Sequence, residues 1–148
     1  MGGKLRGYAL RIDIDASLER AWDALIAPRA LTRWCAPGAV MRPRAGGSFR
    51  ASVDRVDTIE AHIDVFDPRR RLRLIHMPHP ALPSPDVALI DDFMLEYKEG
   101  VTIVRLLGSG IPEADAWDSY YLRLRTGWER ALARLKVFLE KNMDKEEK

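Results

Sequence analysis

The sequence predicts an α+β domain: a curved antiparallel sheet of six or seven strands around a long C-terminal helix, with two short helices after the first strand. Three observations predict it. Apolar and polar residues alternate with period two in residues 8–14 and again, repeatedly, between residues 48 and 107. Short turn signals rather than helices separate the later strands, which is the connectivity of an antiparallel sheet. The last third of the chain switches to helical period, and a sheet with one apolar face must be covered by it, because no other element is long enough.

In YALRIDI, Tyr8, Leu10, Ile12 and Ile14 share one face, with Ala9, Arg11 and Asp13 on the other. In DASLERAWDALIAP, Ser17 is the expected N-cap and Leu18, Ala21, Trp22 and Leu25 recur at helical spacing. Pro28 stops that helix and stands in the first turn of a second, PRALTRW. SFRASVD then alternates Phe49, Ala51 and Val53 against Arg50, Ser52 and Asp54. TIEAHIDVF alternates Ile59, Ala61, Ile63 and Val65 against Glu60, His62 and Asp64. After the Asp67–Pro68 turn, RLRLIH reads as a strand, whereas HMPHPALPSPD holds four prolines and reads as a loop. VALIDDFMLEY and VTIVRLL form a hairpin across Lys98–Glu99–Gly100. From Trp117 to Leu139 one apolar stripe, including Tyr120, Tyr121, Leu124, Trp128 and Leu135, marks a helix of roughly 25 residues.

A chain of 148 residues fits one domain, here residues 1–148, with a core over about 8–142 and a charged tail at 143–148. With 24 basic and 22 acidic residues the net charge is only +2, so the arginine clusters at 42–50, 69–73 and 123–134 read as solvated edges, and no nucleic-acid partner is expected. There is no apolar run of 18 residues and no signal-peptide pattern, so no membrane span is expected and the cytoplasm is the expected location. A single cysteine cannot form an internal disulfide.

Candidate chemistry is sparse. Gly46–Gly47 feeds a strand and no Gly-Lys-Ser/Thr follows, so it reads as a turn and not as a phosphate loop. Cys35 has no histidine nearby in sequence and reads as a small buried residue. His76 and His79, assigned to the proline-rich loop, have workable metal spacing, with Asp86, Asp91 or Asp92 as oxygen donors, but Pro78 and Pro80 break the local geometry; no metal or cofactor is expected. His62 belongs to the solvent face of its strand. Asp91 and Asp92 are adjacent in a strand, so one of them faces inward: Asp91 if Leu89, Phe93 and Leu95 set the core face, Asp92 if Ile90 and Met94 do. An inward carboxylate needs a partner, and Arg105 on the next strand is the natural candidate.

Several strings stand in a telling order: IDIDASLERAWDALIAPRALTRWCAPG, PRAGGSFR, VFDPRRRLRL, GSGI and TGWERALARLKVFLEK. Together they resemble the Bet v 1-like helix-grip superfamily (the START or SRPBCC domains), and within it the branch similar to the activator of Hsp90 ATPase. Cys35 departs from the second aromatic that often follows Trp34 in the family, and Gly108 from a histidine that relatives commonly carry there. The resemblance implies a cavity between sheet and helix that holds a small apolar or aromatic ligand, lipid-like or polyketide-like, as carrier or sensor. Its expected lining is Trp34, Phe49 and Ile63, then Asp91, Phe93 and Arg105, then Trp117, Tyr120, Tyr121 and Leu124 from the last helix. Two alternatives accompany that expectation. One is an aromatase/cyclase-type enzyme with Asp91 or Asp92 as acid and Tyr120 or Tyr121 as proton donor. The other is a chaperone-cofactor interaction module. Hsp90 activation in the name-giving proteins involves an additional N-terminal domain for which this chain has no room, so an Hsp90-type chaperone is not the expected partner; a homodimer is left open.

Overall fold

The computed structural model describes residues 3–53, 58–80, 82–84 and 87–145. Asp54, Pro85, Asp86 and residues 146–148 of the tail, all considered above, lie outside the described residues. The chain runs β1 (Leu5–Ile14), α1 (Leu18–Ile26), α2 (Pro28–Trp34), β2 (Val40–Met41), β3 (Ser48–Ala51), β4 (Ile59–Asp67), β5 (Arg71–His76), β6 (Ile90–Lys98), β7 (Val101–Pro112) and α3 (Asp118–Glu140). Short 3-10 turns at Asp115–Trp117 and Met143–Lys145 flank α3. The seven strands form one curved antiparallel sheet in the order β1-β7-β6-β5-β4-β3-β2. The expected α+β architecture is present, with β2 as the seventh strand.

Local chemistry sets the element ends. Ser17 Oγ accepts the Arg20 amide at 3.1 Å and so caps α1. Pro28 opens α2, where its missing N–H has no helical partner to lose. Glu99 and Gly100 both take positive φ, 52° and 88°, the backbone of a two-residue hairpin whose twist matches the strands it joins. β7 extends to Pro112, beyond the VTIVRLL run, because Gly108 and Gly110 keep the strand going where a side chain would collide: a Cβ on Gly110 would sit 2.0 Å from the Ala88 carbonyl oxygen. β6 begins at Ile90, three residues later than its apolar pattern suggests.

The stripe on α3 packs Tyr120, Leu124, Trp128, Leu132 and Leu135 against the sheet. Polar tethers fix its position along the groove. Tyr121 donates to the Gly7 carbonyl at 2.9 Å and Lys136 to the Asp13 carbonyl at 2.5 Å, both on β1. Arg134 reaches the carbonyls of Trp34 (2.8 Å) and Cys35 (3.1 Å), oxygens left without helical partners at the end of α2. On α1, Arg20 grips the end of the chain: it donates to Asp144 at 2.9 and 2.7 Å and to the Leu139 carbonyl at 2.7 Å.

The hydrogen bonds from Arg20 hold the Asp144 carboxyl below the usual carboxylate range. The native state therefore keeps this charge at a lower pH than the unfolded chain does. Its contribution is complete above the unfolded value near 4 and fades as pH falls through the native one. Asp144→Asn is expected to cost about 1 kcal/mol at neutral pH. In urea denaturation the gap between wild type and variant should close as pH falls below about 4.

Candidate functional site

The centre of the sheet's inner face holds a charged residue. β6 buries alternate residues, and Asp91, 1% exposed, falls on the same parity as Phe93 and Leu95. Asp92 points outward and takes a two-pronged ion pair from Arg71 at 3.0 and 2.7 Å. The register explains how Asp91 is reached. Gly108 on β7 pairs with Asp91 on one side and with Tyr8 of β1 on the other. Having no side chain, Gly108 leaves its place on the inner face to the ring of Tyr8, whose Cζ lies only 2.2 Å from where a Cβ would be. The Tyr8 hydroxyl thus crosses a whole strand to donate to Asp91 Oδ1. From the opposite side β5 sets Leu74 across from Asp91 and His76 two residues further on the same face. His76 Nε2 lies 2.7 Å from Asp91 Oδ2, and Trp128 of α3 donates Nε1–H to that oxygen at 3.2 Å.

Charge-assisted hydrogen bonds from three further elements offset the cost of taking a carboxylate out of water. The tyrosine responds in turn: burial, and then the negative charge of Asp91, push the Tyr8 hydroxyl well above its ordinary value.

Arg105 is not the partner of Asp91. It lies on the outer-face parity of β7 with Leu107, and its guanidinium pairs with Glu96 near solvent. His76 is likewise no loop residue: it ends β5 and is 7% exposed, while His62 is exposed as expected. Among the described residues no three His, Cys, Asp or Glu side chains cluster as a metal site would need.

Trp34, Phe49, Phe93 and Trp128 meet in the space between sheet and α3. Trp128 is edge-on to Phe93 at 5.4 Å and stacked with Phe49 at 6.5 Å between ring centroids. The void they leave, with Cys35 on its wall, is about 10 Å³, against roughly 300–1,000 Å³ for a small-molecule pocket. Ile63, Trp117, Tyr120 and Leu124 are buried, and Tyr121 is half-buried beneath Arg6. A similar space of about 10 Å³ lies beside His76 and Tyr120. A larger concavity, about 540 Å³, lies outside the core between α1, α2 and the end of α3.

The family comparison agrees with this architecture. A profile described as "Activator of Hsp90 ATPase homolog 1-like protein" matches residues 15–140. The chain belongs to that family. No functionally curated protein matches it in sequence. Among solved structures, MLL2253 from Mesorhizobium loti is similar at TM-score 0.79 and 20% identity, over 92% of this chain and 98% of that one. The Aha1 dimer from Colwellia psychrerythraea is similar at TM-score 0.74 and 21% identity, over 91% and 96%. CalU16 from Micromonospora echinospora is similar at TM-score 0.72 and 21% identity, over 93% and 80%. At these identities the likeness shows the fold alone, the helix-grip arrangement of a curved sheet and a long C-terminal helix. In this activator-of-Hsp90-ATPase-like chain, no helix of the described residues is long and apolar enough to cross a membrane.

Three members of the central cluster escape the sequence: Tyr8 and His76, and Trp128 as a hydrogen-bond donor. The available signal was Gly108, a glycine on the inward parity of a strand otherwise filled by Thr102, Val104 and Leu106. Gly108→Ala forces a methyl into the Tyr8 ring and is expected to cost about 1–3 kcal/mol, and less in a Tyr8→Ala background, by chemical denaturation. Tyr8→Phe leaves Asp91 one donor short, an expected loss of about 1–3 kcal/mol. Because native Tyr8 holds its proton beyond the pH at which an unfolded tyrosine loses it, near 10, its contribution is complete below that pH and lost above it. Stability curves of wild type and Tyr8→Phe should therefore converge above about pH 10.

Proposed function

We propose that this chain is a protein-interaction module of the chaperone-cofactor kind, acting through its outer surface on an Hsp90-type chaperone. One observation carries the reading: the space where relatives of this fold hold ligands is filled by Trp34, Phe49, Phe93 and Trp128. Membership of the activator-of-Hsp90-ATPase-like family supports the partner class, in place of the expectation drawn from chain length. The contact we favour is the outer cleft, floored by Ala24, Ala27, Ala30 and Phe138. Arg20 and Asp144 neutralise one another on its rim, and Arg29 and Lys145 then outweigh Asp23. That balance suits an acidic segment of the partner. The Aha1 from Colwellia psychrerythraea is a dimer, and self-association of this chain is a separate interaction that sedimentation velocity reads on its own.

A second reading, small-molecule chemistry with a pocket acid, is favoured by Asp91 itself. A buried carboxylate adds little stability that apolar packing would not supply, and here Tyr8 takes the place of Tyr120 or Tyr121 as the hydroxyl beside it. A carrier role would need the four central aromatics to part.

The deciding experiment measures ATP turnover by the Hsp90-type chaperone of the same organism with added protein, alongside binding kinetics. Saturable binding and a change in turnover are expected. Arg29→Glu should slow association several-fold and flatten its salt dependence. Absence of binding at concentrations well above the cellular range would defeat the proposal.

A further inference from the structure

Residues 76–79 read His-Met-Pro-His. The expectation that Pro78 breaks the spacing of the two histidines is not met: His76, Met77 and His79 all line the crevice of about 10 Å³ beside Tyr120. A space of that size takes a single ion or water and no organic molecule. The backbone holds all three residues in place. His76 donates its amide to the Leu89 carbonyl at 2.9 Å, Met77 donates to the Glu60 carbonyl at 2.6 Å, and the His79 carbonyl accepts from Leu82 at 3.0 Å. The His76 ring is anchored as well, with Nε2 at 2.7 Å from Asp91. Ionic or neutral, that contact is the carboxylate support that a metal-ligating histidine carries on its second nitrogen. Nδ1 makes no hydrogen bond and is not sealed, since Arg6 Nε is the one buried side-chain nitrogen or oxygen without a partner among the described residues. His79 has a contact of its own, and a ligating imidazole keeps one, because it binds through one nitrogen and is held by the other. Met77, 45% exposed, adds a polarizable thioether. Two imidazoles and a thioether make a soft donor set. No third His, Cys, Asp or Glu completes a cluster with the histidines among the described residues, so zinc lacks its usual ligands here.

We propose that His76, Met77 and His79 bind one soft monovalent metal ion of the copper(I) class. The ligands are Nδ1 of His76, the Met77 thioether and a ring nitrogen of His79. On binding, any proton held by Nδ1 leaves to solvent. Nε2–H stays on Asp91, which is the positioning residue: it fixes the ring with Nδ1 toward the ion. The site shares no residue with the outer cleft and does not rest on the chaperone reading.

The test titrates silver(I), a redox-inert ion of the same class, into the nitrogen-15-labelled full chain. Affinity is read by competition with a soluble chelator, and the ligating nitrogens by histidine-ring NMR. One ion per chain is expected, with the His76 shift on Nδ1 and Nε2 still protonated in the bound state. Met77→Leu, at an exposed position, and His79→Gln should each weaken binding about tenfold or more. His62→Gln and Cys35→Ala should leave it unchanged, and zinc(II) should bind far more weakly than silver(I). Affinity unmoved by Met77→Leu and His79→Gln, binding lost in Cys35→Ala, a metal shift on His76 Nε2 in place of Nδ1, or zinc held as tightly as silver would each overturn the proposal.

Discussion

A carboxylate sealed in the middle of a sheet cannot be satisfied by its own strand, whose amides are committed to the ladder. Asp91 must draw its donors from elsewhere, and every element that supplies one is thereby placed. Tyr8 fixes β1 against β7 in a single register, because only opposite Gly108 can the ring lie flat across the strand. Trp128 fixes the height of α3 over the sheet, and His76 fixes the end of β5. Apolar packing would tolerate small slips at each of these contacts; three hydrogen bonds converging on one carboxyl do not.

The same geometry accounts for the filled interior. With Trp128 drawn toward Asp91, its indole lies between Phe49 and Phe93, and Trp34 closes the remaining side while donating to the Ala24 carbonyl at 2.8 Å. The polar anchor and the aromatic plug are thus one arrangement. With the interior filled, the openings among the described residues lie at the edges, among them a small crevice at His76 and a charged cleft outside α1 and α2.

The fold was legible because its signals are local and periodic. Ser17, Pro28, the Glu99–Gly100 turn and the stripe on α3 each declare themselves within a few residues. The parity of Asp91 was half legible, since two frames of alternation competed. Arg105 misled because adjacency on a neighbouring strand says nothing about which face a side chain takes. The central cluster was not legible at all. It depends on the register of β1 against β7, strands far apart in sequence, on that of β7 against β6, and on the absence of a side chain at Gly108.

That first strand has a history as well as a position. β1 is made well before its hydrogen-bonding partner β7 and the α3 side chains that hold its Gly7 and Asp13 carbonyls. At ordinary synthesis rates it waits about 5–20 s with its apolar face unpaired. During that interval Tyr8 lacks both the carboxyl it meets and the glycine its ring lies over, and the nascent chain presents the kind of surface that chaperones hold.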